Sequence, residues 1–157
     1  MRKLIYFFGF MAIMMMPVNS WSHCEIPCGI YDDSTRYVLL LEDITTIEKS
    51  MNSINTLSAE KDINYNQLVR WINNKEEHAN KIMGLVTQYF LNQRVIPKMP
   101  EEGETYNKYV KMLTQFHQML VYAMKCKQTT DLENVTKLRE LVLESRATYF
   151  EDQEHSH

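Results

Sequence analysis

Through most of the chain, apolar residues recur every three or four positions with polar residues between them. That period is the mark of helices that bury one face. Over residues 34–57 the stripe is Tyr37, Leu40, Ile44, Ile47, Met51 and Ile54. Over 64–94 it is Leu68, Ile72, Lys75, Ala79, Ile82, Val86 and Tyr89, interrupted at Lys75. Over 104–127 it is Tyr106, Val110, Leu113, His117, Leu120 and Met124. Over 131–151 it is Val135, Leu138, Val142 and Tyr149. Four such helices predict an all-α fold, an up-down four-helix bundle. Ser34, then Asn64 or Asp62, are expected to cap the first two helices, and Thr130-Asp131-Leu132-Glu133 reads as a capping box for the fourth. Gln93 to Thr105 holds Pro97, Pro100 and Gly103 and is expected to be a surface linker.

Three residues on these faces carry chemistry of their own. Lys75 is expected to snorkel to the surface. The other use for it is a cation at a subunit contact near a metal mouth. His117 is expected to be a hydrogen-bonded core histidine rather than a ligand, because no second metal-type residue is spaced with it. Cys126, between Lys125 and Lys127, is expected to remain a free thiol rather than pair between subunits.

Composition agrees with this reading. Four Gly and four Pro among 157 residues leave little punctuation for a many-stranded fold. With 45% hydrophobic and 24% charged residues, the chain has ordinary soluble globular composition.

The N-terminus breaks the pattern. Arg2 and Lys3 precede thirteen apolar residues, Leu4 to Met16. Pro17-Val18-Asn19 ends that run, and Ser20-Trp21-Ser22 sets small residues at the third and first positions before a cut. This is the three-part form of a secretory signal peptide, so residues 1–22 are expected to be removed on export. The destination is periplasmic, lumenal or secreted. Thirteen apolar residues are too few to span a bilayer comfortably, so no stable membrane association is expected after cleavage. Losing Arg2 and Lys3 and no acid moves the formal net charge from −3 to −5. A mildly acidic domain without a basic stripe argues against nucleic-acid binding.

Cleavage after Ser22 would free His23 and expose a hook, residues 23–33, ahead of the bundle at 34–151 and a polar tail at 152–157. In the tail, His155 and His157 are expected to be a disordered end rather than a metal site. The hook reads HCEIPCGIYDD. The α-amine, the His23 imidazole, the Cys24 amide nitrogen and the Cys24 thiolate lie within two residues. Pro27 turns the chain and Gly29 relaxes it, so Cys28 can fold back to the same metal. Amine, amide and two thiolates form a planar N2S2 set that suits Ni(II) or Cu(II), with the imidazole left as an axial donor. Zinc would require a tetrahedron.

His23-Cys24-x-x-Pro27-Cys28-Gly29-x-Tyr31 at a processed terminus resembles nickel superoxide dismutase. The resemblance implies a homohexamer of four-helix bundles that turns superoxide into oxygen and peroxide. It implies one nickel per subunit, cycling between Ni(II) and Ni(III). The ligands it implies are the amine and imidazole of His23, the amide and thiolate of Cys24 and the thiolate of Cys28. Tyr31 would line the mouth and order solvent, and Tyr89 is a weaker candidate for the same gate. The chain departs from the family at Glu25, where Asp is frequent. It also departs around Val38, Leu39 and Leu40, where a Glu is expected, at His78 or Asn74, where an Arg is expected, and at Leu91, where a Lys is expected and Arg94 is nearby.

Two other readings compete. A di-iron bundle needs Glu-x-x-His pairs, and the helical region has none. An exported bundle without enzymatic activity, with a Cys24–Cys28 disulfide or a metal-binding role, fits an oxidising compartment. A disulfide loop, however, has no use for a free amine beside it.

Overall fold

The computed structural model describes residues 33–151. The leader, hook residues 23–32 and the tail from 152 lie outside the described residues. The described residues form four helices and no strand. Helix α1 is Asp33–Ser58. Helix α2 is Tyr65–Gly84 and runs directly into a π-helical segment, Leu85–Arg94. A 3₁₀ turn, Pro100–Glu102, precedes α3, Glu104–Gln128, and α4 is Leu132–Phe150.

The caps show why the helices begin where they do. Asn64 accepts a hydrogen bond from the Gln67 amide at 3.2 Å and starts α2. Asp131 accepts from the Glu133 amide at 3.0 Å, so α4 opens one residue later than a box headed by Thr130 would place it. Ser34 lies inside the first turn of α1 rather than capping it. Gly103 takes a positive φ of 61°, which lets the linker turn sharply into α3.

Each helix packs on the next in sequence, and α4 closes back on α1. Asn55, late in α1, donates to the Thr130 carbonyl just before α4, and Asp33, first in α1, meets Tyr149 at the end of α4. Those two contacts fix α1 and α4 as antiparallel. The expected stripe of α1 is buried throughout, and so is that of α2 from Lys75 to Tyr89. Ile72 lies beyond the covered part and is exposed.

Helix α3 corrects the expected register. Its buried stripe is Phe116, Met119, Ala123 and Cys126, one residue round from the one the periodicity favoured. One residue is a rotation of about 100°. Val110 and Met124 are exposed, and so is His117, which is not a core histidine. The turn is set by Phe116, which stacks on Phe90 with ring centroids 5.0 Å apart and planes 22° from parallel.

Lys75 is corrected as well. It does not snorkel; it is 3% exposed. Its Nζ donates to the carbonyls of Lys127 and, at 2.7 Å, of Cys126, and it pairs with Glu76 at 3.0 Å. Those carbonyls belong to the last turn of α3, where no helical amide remains to satisfy them. A cation there also meets the negative end of the helix dipole. Lys75 is therefore the C-terminal cap of α3, supplied by α2. Cys126 is buried on the inner face of α3 and forms no disulfide among the described residues. Burial pushes its thiol up to about 11, against a smaller lowering by the Lys75 charge.

Candidate metal centre

His23, Cys24, Cys28 and Tyr31 lie outside the described residues. Asp33, the last residue of the expected hook, is described as the first residue of α1, and the structure shows how that residue is held. Asp33 is 8% exposed. Its Oδ1 accepts from the Tyr89 hydroxyl. Its Oδ2 accepts from the Tyr149 hydroxyl at 2.6 Å, and from Arg94 Nη2 and Nε at 2.5 and 3.0 Å. The end of α2 and the end of α4 thus hold one carboxylate at the start of α1. The Arg36 guanidinium lies over the Tyr89 ring, 4.9 Å from its centroid, and steadies that hydroxyl.

Burial pushes the Asp33 carboxyl up, but the hydrogen bonds from Tyr149, Tyr89 and Arg94, with the Arg94 charge, outweigh it and leave the carboxyl below its ordinary value. The same contacts act in reverse on the donors. Burial and Asp33 raise Tyr149 to about 12 and raise Tyr89, while Asp33 raises Arg94. A depressed carboxyl contributes stability above the unfolded value, and this is lost as pH falls through the folded value. The expected result is that the stability difference between the unaltered protein and Asp33→Asn is full at neutral pH. It should close only below the ordinary Asp range, near 3.8. Urea titrations of both proteins across that range measure it.

The π-helical segment makes this convergence possible. Thr87 Oγ bonds the carbonyls of Met83 and Gly84 at 2.8 and 3.2 Å and so competes with the backbone where the segment starts. At its end the Val95 amide reaches back five residues to Phe90 O. Residues five apart in an α-helix point about 140° from each other. The wider i→i+5 turn brings Tyr89 and Arg94 onto one side.

Beside Asp33 lies a cleft of about 310 Å³, lined by Arg94, Lys98, Lys108, Tyr109, Met112 and Tyr149 among others. Lys98 also pairs with Glu102 at 3.3 Å. Three cations, Arg94, Lys98 and Lys108, line this cleft in a chain that is acidic overall, which makes it more favourable to an anion.

The other sites named from sequence fall elsewhere. Tyr89 donates its hydroxyl to Asp33 and so anchors the start of α1. His78 pairs through Nδ1 with Asp43 of α1 at 2.6 Å, and Asn74 donates to Ser50 at 3.0 Å. Asp43 and Ser50 lie about 15 and 25 Å along α1 from Asp33. Val38 and Leu39 are exposed and Leu40 is core. Among the described residues, no three His, Cys, Asp or Glu side chains come together as a metal site. Sequence reasoning missed the Arg94–Asp33–Tyr149 convergence. The available signal was an acid at the hook's end with a Tyr and an Arg five residues apart.

The fold defines a class: an all-α bundle whose first helix starts at an anchored carboxylate and follows, in sequence, a stretch rich in metal-type donors. A model of the nickel-containing superoxide dismutase family matches residues 18–153. The chain belongs to that family; it is an oxidoreductase that acts on superoxide and uses nickel. No curated protein and no solved structure matches it.

Proposed function

We propose that the nickel is held at a processed N-terminus by His23, Cys24 and Cys28. The observation that carries this is the donor spacing, HCEIPC, set ten residues ahead of a helix start that is itself locked in place. The lack of a metal-type cluster among the described residues supports the same location. The donor set fits the metal, since soft thiolates beside nitrogen donors suit nickel.

His23 would give its amine and imidazole, Cys24 its amide nitrogen and thiolate, and Cys28 its thiolate. The bound metal would supply a one-electron Ni(II)/Ni(III) couple that oxidises one superoxide to oxygen and reduces another to peroxide. Tyr31 stands two residues before Asp33 in the chain, a short tether to an anchored residue. It would line the mouth and order the solvent that delivers protons. Arg94, Lys98 and Lys108 would favour the incoming anion.

The free amine requires loss of residues 1–22, and export to a periplasmic, lumenal or secreted site follows from that leader. Assembly as a homohexamer is part of the same reading. Val38, Leu39, Ile96 and Met99 stay exposed and are apolar surface that further copies would cover.

The test is the intact mass of the purified mature protein together with its metal content. A chain starting at His23 with one nickel is expected. A different first residue, or full activity without nickel, overturns the assignment.

A further inference from the structure

We propose that Arg94 and Asp33 form a clamp that sets the direction in which the hook leaves the bundle, which makes Arg94 a positioning residue for the nickel site. This rests on the reading that the hook holds the metal.

Reach makes the clamp matter. Cys28 is five residues from Asp33, so its Cα lies within about 18 Å of the Asp33 Cα however the chain runs. Over so short a tether, the orientation of the first turn of α1 decides where the donors can go. That turn is over-determined. Both carboxylate oxygens of Asp33 are engaged, one by Tyr89 and the other by Tyr149 and by two nitrogens of Arg94. The donors come from two helices, so α1 cannot roll at this end without losing a partner on one side. The Arg94 bonds are charge-assisted and stronger than neutral ones. Tyrosine alone would leave a buried carboxylate with no countercharge.

The π-helical segment is the second observation. In an α-helix, Tyr89 and Arg94 would diverge, and only one could reach Asp33. The i→i+5 bond from Val95 to Phe90 shows the register that brings them together. The backbone irregularity and the clamp are thus one device.

Arg94→Met in the metal-free mature protein is the first arm of the test. Amide hydrogen exchange at residues 29–36 is expected to rise about tenfold, the change expected for losing a charged hydrogen bond. In the nickel-loaded protein, transfer of nickel to a chelator is expected to quicken by about the same factor. Arg139→Met is the control. It removes a different ion pair onto α1, from Arg139 of α4 to Glu48 at 2.8 Å, about 22 Å along α1 from Asp33. Its exchange at 29–36 and its nickel transfer should stay within about twofold of the unaltered protein, as expected for a surface pair.

If Arg94→Met matches Arg139→Met in both readouts, the clamp does nothing beyond general stability and the proposal fails. Should Arg94→Met not fold, Arg94→Gln takes its place under the same criteria. An unaltered protein that takes up no nickel would refute the ligand assignment and remove the clamp's purpose. The exchange data tell that failure apart, since the anchor would then still show.

Discussion

A mature protein carrying one extra residue ahead of His23 should fold normally and lose its nickel. The extension turns the terminal amine of His23 into an amide and leaves the His23–Cys24 spacing as it was. One proposed donor is lost outright. Removing a mere outer partner of a metal ligand costs about 10- to 100-fold in affinity. Loss of a ligand itself should therefore exceed about 100-fold, and dismutation should fall to the background of the metal-free protein. Cys24→Ser and Cys28→Ser should do the same, because a hydroxyl is neither soft nor ionised at neutral pH. The helices should be untouched, since described residues from Tyr37 to Val142 build a shared core between them. Metal content, dismutation rate and far-ultraviolet dichroism measured together decide it. Full activity in the extended protein would refute the proposed ligand set.

Replacing Lys75 by Met should destabilise the bundle by about 2–4 kcal/mol, the range for losing hydrogen bonds from a buried charge. Met fills nearly the same space, so the loss is not a cavity effect. It comes from the carbonyls of Cys126 and Lys127, which would be left in the interior without a donor. Glu76 would keep a partner, since Lys127 lies 3.6 Å from its other oxygen. The melting midpoint should drop on the order of 10 °C. If Lys75→Met melted with the unaltered protein, the carbonyls would have found other donors, and the capping role would be wrong. Nickel affinity should be unchanged when compared well below the melting range. The Lys75 contacts lie at the end of α3, far along the bundle from Asp33.

The two variants separate what the hook does from what the bundle does. One should remove the metal from an intact scaffold, and the other should loosen the scaffold around an intact hook. Arg94 stands between them, because it belongs to the bundle and holds the end of the hook.

Helix number, helix bounds to within a residue or two, and the buried stripes of α1 and α4 were legible in the chain. A period of three to four records which face must leave water, and strong caps such as Asn64 record where a helix starts. The spacing of the proposed donors His23, Cys24 and Cys28 is visible in the chain for a similar reason, since residues within six positions need no tertiary information to be neighbours. The register of α3 was not legible. Its apolar arc is broad enough to be read in two ways, and only the ring of Phe90 facing Phe116 selects one. Lys75 could not be placed, because the carbonyls it caps are about fifty residues away. The clamp at Asp33 joins residues 33, 89, 94 and 149 through a π-helical turn that periodicity does not encode. By itself the sequence determined local shape and local chemistry, both set by near neighbours. Which distant groups meet depends on how the helices pack, and only the tertiary structure decided that.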